Sequence, residues 1–95
     1  MAVWRSLPLY LIVLEELERL ARRRSSTVVR EDELFDAVRK AAKLRGFEVS
    51  KQEFLKALMV LEMRGYVYVA TVSDRPEKGR IIELLKTPHG SIQQG

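Results

Sequence analysis

The hydrophobic pattern of this chain changes from helical to alternating at Gly65. Before Gly65, apolar residues recur three and four positions apart in three separate stretches. After it, aromatic or β-branched residues alternate with others over residues 66–72, and a second apolar stretch over 80–86 follows a polar turn. The chain is therefore predicted to fold as three helices followed by a two-stranded β-hairpin, which is an α+β fold that is mainly α.

Length and composition indicate one globular domain. The chain has 95 residues, of which 46% are hydrophobic and 32% are charged, and this is enough for a single core but too little for two. We expect the domain to span residues 1–86, and residues 87–95, which contain the single histidine, His89, to form a disordered tail. Because the chain has no cysteine, disulfides and thiolate metal sites are excluded and a cytoplasmic location is expected.

Charges and turn residues delimit the first two helices. The first is predicted to begin at Ser6 or Leu7 and to end near Arg24, where a run of arginines favours the C-terminal end of the helix dipole. Residues 27–29 are all β-branched, so a very short strand is predicted between the two helices. The second helix is predicted over residues 31–45, because three acidic residues occupy its first turn and a glycine follows its last residue.

The third helix has the clearest start signal. Ser50 and Glu53 have the spacing of a capping box, in which each side chain accepts a hydrogen bond from an otherwise unpaired backbone N–H group. At about 100° per residue, one side of this helix is the predicted core face and holds Phe54, Ala57, Leu58, Leu61 and Gly65. The opposite side holds Gln52, Lys56, Met59, Val60 and Met63.

The stretch from Val49 to Val67 resembles the recognition helix and the beginning of the wing in winged-helix repressors. It combines a helix N-cap, leucines three residues apart, a glutamate and the run glycine–aromatic–valine. With the order helix, short strand, helix, helix and hairpin, nearly the whole chain is similar to winged helix-turn-helix DNA-binding proteins such as small archaeal-type transcription regulators. The resemblance implies a regulator that binds double-stranded DNA, with the third helix in the major groove and the hairpin wing along the phosphates.

Three residues at the start of the third helix match positions that often reach base edges or phosphates in this family, namely Lys51, Gln52 and Lys56. The N-terminal turn around Ser50 is expected to add a fourth contact. Lysine ammonium groups pair with phosphates, glutamine can contact base edges, and the free N–H groups of a helix N-terminus can donate to a phosphate. The resemblance therefore implies that the first half of the helix makes the DNA contacts.

The predicted wing tip carries both signs of charge. Arg75, Lys78 and Arg80 can pair with phosphates, whereas Asp74 and Glu77 would repel them, so the turn has a net charge of +1. A solvated turn and a DNA-contacting wing are both consistent with this composition.

The outer side of the third helix is apolar in its second half, at Met59, Val60 and Met63. A major groove presents hydrogen-bond donors and acceptors and little apolar surface beyond thymine methyl groups. These side chains either bind a partner protein, since methionine adapts to varied contacts, or are covered by the first helix or by a neighbouring subunit. Both interpretations stay open at the level of the sequence.

The first half of the first helix is apolar on every side. Leu11 lies off the predicted core stripe and Ile12 lies roughly opposite it, and a domain of this size has no second layer to cover them. We therefore expect a homodimer formed through Trp4, Leu11, Ile12 and their surroundings. Winged-helix regulators similar to this chain commonly dimerise through terminal helices.

Other classes of protein are less favoured. The longest apolar run, Leu7–Leu14, is far shorter than the roughly 20 residues that cross a bilayer, so no membrane partner is expected. Neither catalysis nor a bound cofactor or metal is expected, because the chain has no glycine-rich phosphate loop and no paired-histidine motif. The net charge of +4 permits DNA binding without requiring it. The main alternative is a winged-helix protein–protein interaction module in a transcription or replication assembly, with little or no direct DNA binding.

Overall fold

The computed structural model describes residues 8–71, 79–87 and 90–91. In chain order the elements are α1 (Leu9–Arg24), β1 (Val28–Arg30), α2 (Glu31–Leu44), α3 (Lys51–Met63), β2 (Val67–Thr71), β3 (Arg80–Leu84), β4 (Lys86–Thr87) and β5 (Gly90–Ser91). The three helices, the very short strand between the first two and the β-hairpin after the third are confirmed. None of the helices in these described ranges is long and apolar enough to cross a bilayer.

The sheet joins the short strand that follows α1 to the hairpin that follows α3. Its strand order is β1-β3-β2, and both pairings with the central strand β3 are antiparallel. Val29 and Val69 both face Ile82 across the sheet, so these three residues form one row. Val29 and Ile82 are buried, which places this row on the face of the sheet that packs against the helices. This is a winged-helix-like topology.

One core fills the space between the helices and the sheet. Its largest fully buried side chains are Phe54, Ile12, Leu14, Leu17, Leu34, Leu61 and Ile82. Helix α1 contacts α2, α3 and the sheet, and therefore lies at the centre of the domain. Helix α3 contributes Phe54, Ala57, Leu58 and Leu61 from one side, as predicted. Gly65, which was predicted on the same face, is exposed, because α3 ends at Met63.

The burial of Ile12 corrects one expectation. Its side chain is 1% exposed and belongs to the core, whereas the sequence pattern had placed it opposite the core stripe. The reason is that α1 is covered by two helices and by the sheet, so more than one stripe of the helix is buried. Ile12 is therefore not available to a dimer interface in this fold.

The capping box of α3 is present as predicted. The Ser50 hydroxyl accepts a hydrogen bond from the Glu53 N–H at 3.1 Å, and the Glu53 carboxylate accepts one from the Ser50 N–H at 2.9 Å. Between α2 and α3, Gly46 has a φ of 93°, a conformation that side chains disfavour and that glycine adopts freely. The glycine at Gly46 allows the turn between α2 and α3, and the capping box fixes where α3 begins.

The end of the chain forms a second, shorter pairing. Lys86 pairs with Ser91 and Thr87 with Gly90 in an antiparallel ladder of two residues on each side. These residues belong largely to the segment that was expected to be a disordered tail. His89 lies outside the described residues.

Candidate nucleic-acid interface

The two sides of α3 differ in exposure and in chemistry. The side that faces the core is fully apolar, and Gln52 and Lys56 are exposed on the opposite side. Lys51 is also exposed, but it lies on the flank of the helix nearer to α2, so the three predicted DNA-contacting residues share the accessible N-terminal half of α3 rather than a single line. Two ammonium groups and one amide on such a surface can donate hydrogen bonds to phosphates or to base edges.

The N-terminus of α3 also carries a negative charge. The capping box uses the Ser50 hydroxyl as an acceptor for the helix and places the Glu53 carboxylate against the Ser50 backbone. Ser50 thus has a structural role in the helix, and its hydroxyl hydrogen remains available for donation. The Glu53 carboxylate offsets part of the positive charge of Lys51 at this end of the helix.

Two cations lie against one aromatic ring where α2 meets α3. The Lys51 Nζ atom is 5.1 Å from the centroid of the Phe35 ring, and the Arg39 guanidinium carbon is 5.7 Å from it. The ring itself packs on Phe54 at a centroid distance of 5.0 Å and an interplanar angle of 40°. Since a cation within about 6 Å of a ring centroid is attracted by the ring, Phe35 orients both side chains.

The pattern in the sequence did not single out Phe35 or Arg39 as functional residues. Phe35 matched the apolar stripe of α2 and Arg39 its charged face, and each assignment taken alone is sound. Their spacing of four residues does put them on adjoining turns of one helix. No local signal in the sequence indicates that Lys51 of α3 approaches the same ring.

Arg80, predicted as a wing contact to phosphate, is instead bound within the protein. Its guanidinium group donates to both carboxylate oxygens of Glu31, at 2.7 and 3.3 Å. Glu31 is 7% exposed. The hydrogen bond to Glu31 raises the pKa of Arg80 above its ordinary value, although burial opposes this effect. The positive charge of Arg80 is thus compensated by a carboxylate, which gives this residue a structural role, while its contact with phosphate stays a prediction.

The apolar outer surface of α3 is open in the single chain. Met59 is 58% exposed and Met63 is 80% exposed, while Val60 is half-buried. The first helix therefore leaves both methionines uncovered. Of the two interpretations, coverage by α1 is excluded for them, and contact with another molecule stays a prediction.

The other predicted positions are distributed as follows. Arg75, Lys78 and Trp4 lie outside the described residues. Leu11, on α1, is half-buried. In the arginine cluster at the end of α1, Arg24 pairs with Glu33 of α2.

In the parts of the chain that the structure describes, no group of three or more His, Cys, Asp or Glu residues is arranged to hold a metal ion. Comparison with known proteins finds no match either among protein-family models, among curated protein sequences or among solved structures.

Proposed function

We propose that this protein binds double-stranded DNA as a transcription regulator, with α3 in the major groove. The observation that carries the proposal is the exposed surface formed by Lys51, Gln52 and Lys56, on a helix whose opposite side is locked into the core. A helix held in this way presents its side chains rigidly, which direct contact with a groove requires. The winged-helix-like topology supports the same assignment, because it leaves α3 on the surface beside the hairpin.

The N-terminal half of α3 supplies the contacts in this proposal. Lys51 and Lys56 pair with phosphates, which gives affinity that depends on salt but not on sequence. Gln52 is the residue suited to a base edge, where glutamine can form two hydrogen bonds with adenine. With one such residue and an apolar second half of the helix, affinity for DNA rests mainly on phosphates.

The wing has a smaller part in this proposal than its sequence implied. Arg80 is neutralised by Glu31, so backbone contacts by the wing depend mainly on Arg75 and Lys78. Phosphate contacts by these two residues remain a proposal.

A homodimer is the second element of the proposal. A two-fold dimer would set two copies of α3 about one DNA turn apart, roughly 34–36 Å. Because Ile12 is buried, the proposed dimer interface consists of the half-buried Leu11 and its surroundings together with Trp4. Sedimentation at micromolar concentration tests this directly: a dimer mass supports the proposal, and a monomer at every concentration contradicts it.

The experiment for DNA binding is fluorescence anisotropy of a labelled random duplex at two salt concentrations. The unaltered protein is expected to bind at low salt and to weaken steeply as salt rises, because bound phosphates release counterions. Changing both Lys51 and Lys56 to Glu is expected to abolish binding. Lys40→Glu is the matched control, since Lys40 is also an exposed lysine but is paired with Asp36 at 3.4 Å. Binding that survives the double change, or is lost equally in the control, contradicts the assigned surface.

A second candidate function is protein docking through the same helix, and it is favoured by Met59 and Met63. Two exposed methionines one helical turn apart are suited to an adaptable apolar interface. In that case α3 would bind a partner in a transcription or replication assembly, and duplex DNA would not bind at any salt concentration.

A further inference from the structure

We propose that Arg39 and Lys51 hold one phosphate group of the DNA backbone between them, with the Phe35 ring as their common support. This inference rests on the proposed DNA binding and adds to it a contact from α2 that the sequence pattern did not indicate. It also assigns Lys51 a specific role, as half of a two-residue phosphate site.

Both cations lie against the same ring. Their distances of 5.1 and 5.7 Å refer to one centroid, so the ammonium and guanidinium groups are at most about 11 Å apart although they belong to different helices, and rotation of the two long side chains can bring both to one phosphate. Phe35 is itself fixed by its contact with Phe54, which is fully buried. The ring therefore limits where the two long side chains can go, and less freedom is lost when they bind a ligand.

Neither cation of this pair forms a salt bridge with a carboxylate of the described residues. No carboxylate there lies within 4 Å of either cation, whereas the acid nearest along the helix, Asp36, pairs with Lys40. Two positive charges beside one ring raise the local potential and attract an anion. A guanidinium group matches the oxygens of a phosphate with two parallel hydrogen bonds, and an ammonium group adds a point charge.

An open groove adjoins the site on the side of Arg39. It has a volume of about 390 Å³ and lies between α2 and the turn that precedes α3, and Arg39 and Lys40 line it, whereas Lys51 does not. Lys43 and Phe47 line the same groove, and Glu48 is the one acid there that has no partner among the described residues within 4 Å. The site thus carries a net positive charge beside the proposed DNA-contacting surface.

The test compares four proteins in the same anisotropy assay over a series of salt concentrations. They are the unaltered chain, Arg39→Gln, Lys51→Gln and the double variant. Lys40→Gln is the matched control, because it removes the same charge from the next position of the same helix but from a residue that already has a carboxylate partner. Circular dichroism of each variant establishes that the helices are intact.

One shared phosphate has a specific signature. The slope of log affinity against log salt is expected to fall by about 0.9 in each single variant and by the same amount in the double variant. Affinity at 0.1 M salt falls about five- to tenfold in each case. Lys40→Gln stays within about twofold of the unaltered protein.

Other outcomes overturn the inference in distinguishable ways. Normal DNA binding with Arg39→Gln equal to the Lys40 control removes the α2 contact but leaves the proposed function intact. A double variant that loses twice the slope of each single one shows two separate phosphates and contradicts the shared site. Failure of the unaltered protein to bind any duplex contradicts the proposed function and this inference together.

Discussion

The guanidinium group of Arg80 donates two hydrogen bonds to the carboxylate of Glu31, at 2.7 and 3.3 Å, although the two residues are 49 positions apart in the sequence. Glu31 is the first residue of α2, and Arg80 is the first residue of β3. This ion pair therefore ties the loop end of the β2–β3 hairpin to the beginning of α2. A two-point contact of this kind fixes orientation as well as distance.

Replacing Glu31 with Gln is expected to destabilise the domain by about 1–2 kcal/mol. The amide loses the charge and one of the two acceptor oxygens, and the half-exposed Arg80 recovers part of the loss by contact with water. Urea unfolding followed by circular dichroism measures the free energy of unfolding.

Asp32→Asn is the matched control. Asp32 is the next acid of the same turn, and it pairs with Arg30 at 3.4 Å with both side chains largely exposed. The control is expected to change stability by less than about 0.5 kcal/mol. Equal effects of the two changes would show that Glu31 acts only on the helix dipole.

Replacing Ser50 with Ala is expected to cost about 1 kcal/mol, because the Glu53 N–H group at the start of α3 loses its acceptor. Ser50→Asp retains an acceptor at the same position and is expected to unfold near the midpoint of the unaltered protein. Thermal unfolding of the three proteins checks this. If the alanine and aspartate variants are equally destabilised, the cap does not stabilise α3.

Replacing Ile12 with Ala is expected to destabilise the single chain by about 2–4 kcal/mol, because a large buried side chain leaves a cavity in the core. The loss is expected to be the same at every protein concentration, as for a contact within one chain. Leu11→Ala, at the neighbouring half-buried position, is the control and is expected to cost less. A loss at Ile12 that disappears as the protein is concentrated would assign the residue to an interface between chains after all.

Replacing Met59 with Lys is expected to strengthen binding to random duplex DNA and to steepen its salt dependence by about one phosphate, if α3 lies in the groove. Leu44→Lys adds the same charge at another exposed apolar residue, at the end of α2, where Leu44 is 90% exposed. The control is expected to have the smaller effect on both quantities. If the two variants behave alike, net charge accounts for the gain and the orientation of α3 is not the one proposed.

Local signals were sufficient to predict most of the fold. The capping box at Ser50 and Glu53 and the glycine at Gly65 delimited α3, since both act through the backbone of their own neighbours. The alternation after Gly65 likewise predicted the hairpin, whose strands pair in register from Val67–Leu84 to Thr71–Arg80. Features of this kind need no knowledge of the rest of the chain.

The features that sequence reasoning missed depend on residues far apart. Periodicity along α1 cannot show that two helices and a sheet surround Ile12, so its burial was predicted wrongly. Likewise, nothing near Arg80 indicates that a carboxylate from α2 compensates its charge. The exposed lysines of α3 were predictable from its helical period, whereas the neighbouring Arg39 becomes relevant only where Lys51 approaches Phe35.

The strand order has a consequence for synthesis of the chain. Strands β1 and β2 both pair with β3, which is made after them, and they do not pair with each other. A nascent polypeptide that has not yet released residues 80–84 from the ribosome lacks the hydrogen-bonding partner of both strands and leaves Val29 and Val67 without Ile82 and Leu84 beside them. The helices can begin to associate during translation, but the sheet closes only after residues 80–84 have emerged, and a product truncated before Arg80 exposes two unpaired strand edges to aggregation.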